Sequence, residues 1–175
     1  MRRQPISVAL GNALIQCLAR QMPFDSRWSE VFKSRPPNKH RRGIHLAVFV
    51  EPFLTKILQG KKTVESRFAK KRIAPYQLVK EGDILILKAS SGPVLGVCEV
   101  GQVWFYRLDP GVRDSIRRDY SVALCAEDPS FWEQRTGASY ATLMQIKSVM
   151  ALSPVRVSKR DRRGWVVIKE SNGAD

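Results

Sequence analysis

The residues of this 175-residue chain best suited to chemistry lie together in Gly60-Lys61-Lys62-Thr63-Val64-Glu65-Ser66-Arg67. Read as a strand, the segment puts Lys61, Thr63, Glu65 and Arg67 on one face, and Lys62, Val64, Ser66 and Phe68 on the other. A cation, a hydroxyl, a carboxylate and a guanidinium then stand in one row. Glu65, flanked by Thr63 and Arg67, is held as an anion by charge-assisted contacts, an arrangement suited to gripping a polar ligand. The plainer alternative is a solvated strand face whose opposite charges pair with one another. Catalysis asks for more: amide hydrolysis needs a nucleophile or activated water, a base, and donors for the developing oxyanion. Lys62 meets the first need if burial lowers its pKa, with a carboxylate such as Glu65 handling the proton.

Other reactive residues are sparse. His40 and His45 are the only histidines; His40 sits in a basic stretch, and His45 begins an apolar run as a core histidine would. Metal-free cleavage of a phosphodiester usually wants a histidine acid–base pair, which neither position suggests. Cys17, Cys98 and Cys125 are odd in number and far apart, which opposes a disulfide framework and a cysteine zinc site. Cys98, inside an apolar run, reads as a small buried hydrophobe. No carboxylate or histidine cluster has ligand spacing, so neither metal nor cofactor is expected.

The elements that must position the segment can be read from pattern. Ile44–Val50 is a strand, a short helix runs from Glu51-Pro52 to Leu58, and Lys62–Phe68 is a second strand. Gly82-Asp83 turns into Ile84–Lys88, apolar on both faces and therefore interior. Val94–Phe105 is a long strand or a bent pair, residues 110–125 are helical, and 128–139 are irregular or helical. Leu143–Leu152 and Trp165–Ile168 close the pattern. Residues 44–175 thus make an α+β domain, a small and mostly antiparallel β-barrel with flanking helices. Residues 1–43 form a basic extension: helices over 6–21 and 25–33, then a Pro-Pro linker over 34–43. Val8, Leu10, Leu14, Ile15, Leu18 and Met22 recur at near-helical spacing, and Gly11, Asn12 and Gln16 interrupt any signal-like run. No stretch approaches the ~20 apolar residues that span a bilayer, and cytoplasm is the expected compartment.

Charge is the compositional outlier. Thirty Lys and Arg against 16 Asp and Glu give a net charge of +14, which draws polyanions toward the surface. Half of that excess lies in residues 1–43, with nine basic and two acidic side chains. Lys70-Lys71-Arg72, Arg117-Arg118 and Lys159–Arg163 are further clusters, each either a solvated loop or part of a track for phosphates. Among the aromatics Tyr76, set between lysines and arginines in a loop, is the one expected to be exposed for stacking on a base.

The order strand, short helix, G-K-K-T-x-E-x-R, then Gly-Asp before an aliphatic strand resembles the signature of the ASCH domain family of the PUA-like superfamily. Its pieces here are Leu46–Val50, Pro52–Gln59, Gly60–Arg67, and Gly82–Asp83 with Ile84–Leu87. The resemblance spans about residues 44–105 and extends more weakly to Trp165–Ile168. It implies a PUA-like barrel with a cleft beside the short helix, lined by Lys61, Lys62, Thr63, Glu65 and Arg67, and an RNA ligand. One branch of the family hydrolyses the acyl amide of acetylated cytidine. Its catalytic lysine matches Lys62, but a threonine stands where this chain has Glu65; Glu127 is the nearest counterpart, by order, of its catalytic glutamate. Another branch has been linked to ribonuclease activity.

Three functions follow as expectations. The first is a module that holds RNA or a modified nucleoside, with DNA as a further possibility, through Lys61, Lys62, Thr63, Glu65 and Arg67, assisted by Lys70, Lys71, Arg72 and Tyr76. The second is a nucleoside- or RNA-processing enzyme, an amidohydrolase or ribonuclease, using Lys62, Glu65 and Glu127. The third is a protein-interaction domain whose N-terminal helix packs on a partner. No membrane partner is expected, and the pattern gives no oligomeric state.

Overall fold

The computed structural model describes residues 8–33, 42–157 and 162–171. Most of the 34–43 linker, including His40, lies outside these residues, as do Lys159 and Arg160 of the last basic cluster. In chain order the elements are α1 (Val8–Gln21), α2 (Arg27–Lys33), β1 (Ile44–Phe49), α3 (Phe53–Leu58), β2 (Val64–Ala69) and β3 (Ile84–Ala89). There follow β4 (Val94–Arg107), α4 (Pro110–Leu124), α5 (Pro129–Glu133), β5 (Tyr140–Val155) and β6 (Trp165–Lys169).

All six strands join one sheet in the order β2-β5-β4-β3-β1-β6. Only β1 and β3 run parallel; the other neighbours are antiparallel. The result is the mixed α+β architecture expected, a curled half-barrel with flanking helices. Repeated register shifts along the β4–β5 ladder, between Val94 and Gly96, Val97 and Glu99, and Val100 and Val103, supply the bending. Val94–Arg107 is therefore one bulged strand rather than two.

The two-residue period divides the core. Ile44, Leu46, Ile84, Ile86 and Val97 face one way and pack under Leu14 and Leu18 of α1, Met22 just past its end, and Trp28 and Phe32 of α2. Leu14, Leu18 and Met22 are four apart, so a single helical stripe makes the contact. Ala47, Leu85, Leu87, Cys98 and Val100 face the other way, against Leu54 and Ile57 of α3. Gly96 lets α3 approach closely: a Cβ there would lie 2.8 Å from Leu58 and 2.9 Å from the Met150 carbonyl. A third cluster joins Val64, Ala141 and Leu143 to Ile116 and Leu124 of α4 and Phe131 and Trp132 of α5. Asp109 and Asp128 cap α4 and α5, each followed by a proline at the first helical position.

Gly82-Asp83 has a structural cause. Asp83 is buried and accepts from the Gly43 N–H at 2.7 Å, the Lys80 N–H at 2.8 Å and His45 Nε2 at 3.0 Å. The other nitrogen of His45, Nδ1, accepts from the Trp165 indole at 3.3 Å. His45 is thus a satisfied core residue tying β6 to the start of β3.

Candidate functional site

The end of α3 decides how the motif is presented. Gly60, at φ +70, turns the chain out of the helix, and the N–H groups of both Lys61 and Lys62 bond back to the Lys56 carbonyl at 2.9 and 3.1 Å. Residues 60–63 are therefore a helix-terminating turn, and the strand starts only at Val64. Strict alternation does not reach back past that point. Lys61 and Thr63 face solvent, whereas Lys62 turns inward and joins Glu65, contrary to the face assignment expected from an unbroken strand. From Val64 onward the alternation holds: Val64 enters the core beneath α4, and Glu65 and Arg67 share the opposite face.

Lys62 is 2% exposed and Glu65 5%. The Lys62 ammonium lies 3.3 Å from Glu65 Oε2 and donates to the Leu124 carbonyl at 2.9 Å. That carbonyl belongs to the last turn of α4, the negative end of a helix, which favours a cation. The Phe53 ring lies 5.3 Å from the ammonium. Burial pushes the Lys62 pKa below its ordinary value, and the adjacent Glu65 carboxylate opposes that shift.

On the other oxygen of Glu65, Arg67 Nε lies at 2.8 Å, an ion-pair distance without good hydrogen-bond alignment. Arg67 places two further donors on the backbone: Nη2 on the Val48 carbonyl at 3.0 Å and Nη1 on the Gly164 carbonyl at 3.1 Å. Those carbonyls belong to β1 and to the residue before β6, so one side chain of β2 latches the two ends of the curled sheet. Its guanidinium also lies over the rings of Phe49, at 4.8 Å, and Trp165, at 5.4 Å.

These groups floor a cavity of about 380 Å³ beside α3, whose walls include Phe53, Phe68, Phe131, Gln134 and Arg135. Arg135 carries no local sequence signal, because residues 128–139 have no periodicity and lie far from the motif. It stacks on Phe131 at 3.6 Å and donates one hydrogen bond to the carbonyl of the same residue at 2.5 Å. Burial lowers its pKa, against the pull of Glu65. A second, larger groove of about 880 Å³ begins at the shared residues Arg67 and Phe68 and runs between β2 and β6 past Tyr76 and Tyr140.

The other candidate residues are scattered. Lys70, Lys71 and Arg72 are exposed just beyond β2, with Arg72 over Tyr140 at 5.5 Å. Tyr76 is half-buried rather than exposed, held edge-on by Phe105 at 5.6 Å and Tyr140 at 5.0 Å. Glu127 is exposed between α4 and α5 and does not line the 380 Å³ cavity. Among the described residues no group of three or more His, Cys, Asp or Glu could hold a metal ion, and no helix is long and apolar enough to cross a membrane.

Chemically, the floor of the cleft is a bridged triad: one carboxylate between an ammonium and a guanidinium, all largely out of water. It can orient hydrogen-bonding ligand groups with little reorganisation, and it holds an amine whose proton is easier to lose than usual.

Comparison with known proteins bears on this arrangement. The family model for the ASCH domain matches residues 48–146. Among solved structures, ASCH from Zymomonas mobilis is 17% identical, with a TM-score of 0.53 over 64% of this chain and 72% of that chain. A single-substitution variant of that protein is 18% identical, with a TM-score of 0.53 over 67% of this chain and 76% of its own. No curated protein sequence matches. At such identities the structural likeness shows the fold alone.

Proposed function

Because the chain belongs to the ASCH domain family, whose members are generally thought to bind RNA, we propose that it is an RNA- or nucleotide-binding module whose ligand enters the cleft over Glu65. The observation that carries this reading is the Lys62–Glu65–Arg67 triad, buried yet flooring a cavity open to solvent. A surface ion pair contributes little and tolerates loss; a desolvated one beneath a cavity is oriented for a ligand. The net charge of +14 supports a polyanion, and the exposed Lys70, Lys71 and Arg72 just beyond β2 are available for phosphate contacts. Bases splayed from a single strand would meet the aromatic walls at Phe53, Phe68 and Phe131.

The test is binding of fluorescent single-stranded RNA, duplex RNA and DNA across a salt series, for wild type, Lys62→Ala and Glu65→Gln. Salt-sensitive binding that both substitutions weaken is the expected result. Binding indifferent to both residues removes the cleft from the interaction.

One observation favours a second reading, an amidohydrolase acting on a modified nucleoside. Lys62 combines a lowered pKa with a carboxylate at 3.3 Å, the pairing a nucleophilic or proton-shuttling lysine needs. Turnover of an acylated cytidine that Lys62→Ala abolishes would establish it. The interaction-domain reading has less support, since Leu14 and Leu18 of α1 and Met22 just past its end are already buried against the sheet.

A further inference from the structure

The charges in the cleft are unevenly satisfied, and the imbalance identifies a ligand group. Glu65 neutralises Lys62 on one oxygen and Arg67 on the other, and backbone carbonyls take up further donors of both cations. Arg135 stands on the same cavity wall without such provision. A guanidinium offers five N–H donors, and among the described residues the one acceptor Arg135 meets is the Phe131 carbonyl. No carboxylate among the described residues lies within ion-pair distance of it. Its Cζ lies 3.6 Å from the centroid of the Phe131 ring, which restrains the guanidinium and removes part of its water. Glu65 pulls on Arg135 from beyond ion-pair distance while it pairs directly with Lys62 and Arg67; a partly desolvated cation left without a direct partner carries an energetic cost that an incoming anion relieves.

The charge count narrows the anion. With Lys62 protonated, the lining holds Lys62, Arg67 and Arg135 against Glu65, a surplus of two positive charges. A phosphodiester or a carboxylate carries one negative charge, whereas a phosphomonoester carries between about one and a half and two at neutral pH, with a second pKa of about 6. A planar guanidinium also matches phosphate oxygens in paired hydrogen bonds.

Resting on the RNA- or nucleotide-binding reading, the geometry points to a terminal phosphomonoester as the group this cleft selects, with Arg135 as its specificity-determining contact. The preferred ligand is then a nucleotide or an RNA end bearing a phosphate, not an unphosphorylated nucleoside or an internal stretch of chain.

The probes are short single-stranded RNAs of one mixed sequence carrying a 5′-phosphate, a 3′-phosphate, or hydroxyls at both ends. Their binding to the full chain is compared for wild type, Arg135→Gln, Arg135→Lys and Glu65→Gln, with thermal unfolding of each variant as a folding control. Wild type should prefer one phosphate-bearing end over the hydroxyl-ended RNA by about tenfold or more, as expected for one charged hydrogen-bonded pair. That ratio should fall to near one in Arg135→Gln and remain intermediate in Arg135→Lys. In wild type alone it should grow as pH rises through about 6, where the phosphate takes its second charge; this reading does not depend on any variant folding. RNA binding that Glu65→Gln weakens but that shows no preference for a phosphate end, or a preference that survives in folded Arg135→Gln, overturns the inference and leaves the cleft reading standing. Absence of RNA binding, or binding indifferent to Glu65, overturns both.

Discussion

Lys62 and Glu65, three residues apart in the chain, bring opposite charges to 3.3 Å with side chains only 2% and 7% exposed. A buried pair of this kind does not by itself add much stability, but breaking it leaves an uncompensated charge. Glu65 also holds Arg67, so the carboxylate is the hub of the cluster.

Removing that hub has a stability consequence. Glu65→Ala is expected to lower the unfolding free energy by about 3–5 kcal/mol, the range for a buried charge stripped of its partner. Glu65→Gln, which keeps an acceptor oxygen, should cost less and is the better probe of binding. Urea unfolding of both variants checks this; a loss below about 1 kcal/mol for Glu65→Ala would mean that the cluster is hydrated.

The lowered pKa of Lys62 fixes the sign of a pH effect. At low pH both folded and unfolded states carry the ammonium, and the folded state bears its full desolvation cost. As pH rises through the folded-state pKa, the native protein releases a proton that the unfolded chain keeps until about 10.5. The unfolded state then binds more protons, so the Lys62 contribution to stability rises with pH over that window. Denaturant midpoints of wild type minus those of Lys62→Met, followed upward from pH 7 to that limit, should show the trend; a flat or falling difference contradicts it.

Tyr106 acts in the opposite sense at higher pH. Burial, helped by a hydrogen bond with Tyr120, pushes its phenol up to about 12 from 10.0. Between those values the unfolded chain ionises first, and stability falls as pH rises. Tyr106→Phe should abolish this part of the alkaline loss, which spectrophotometric titration of the phenolates can follow alongside unfolding.

Asp83 makes a contrasting prediction, because its role is structural. It satisfies two backbone N–H groups and His45 inside the protein. Asp83→Ala should cost about 3 kcal/mol or more by orphaning those donors, while RNA affinity measured on the remaining folded protein stays at the wild-type level. A selective loss of affinity with unchanged stability would move Asp83 into the binding site.

The exposed Lys70, Lys71 and Arg72 should act through charge alone. Replacing all three with alanine is expected to make the logarithmic salt dependence of single-stranded RNA binding shallower by about two, at roughly 0.7 per phosphate contact. An unchanged slope would place the phosphate path elsewhere.

The strands and short helices around the motif were legible because β-branched runs, Pro52 and the Gly-Asp turn all pointed the same way. β3 was read as interior from its apolar residues on both faces, and all of Ile84–Leu87 are buried. The motif itself was half legible. Glu65 and Arg67 share a face as alternation requires, but Lys62 was assigned to the wrong side, because a helix-ending turn at Gly60 delays the strand to Val64. Tyr76 looked exposed among its charged neighbours, yet Phe105 and Tyr140 come from distant strands to cover it. Arg135 had no local signal, since only the tertiary fold brings α5 beside the cleft.

The Arg67 latch also orders events in time. Its two carbonyl partners lie 19 and 97 residues away in sequence, and the second immediately precedes β6. Contacts of such long range close late, since the loop entropy between them is lost before they contribute. During synthesis the cleft therefore lacks one wall of its anchorage until residue 164 has emerged, and its floor is fully held only once the last strand arrives.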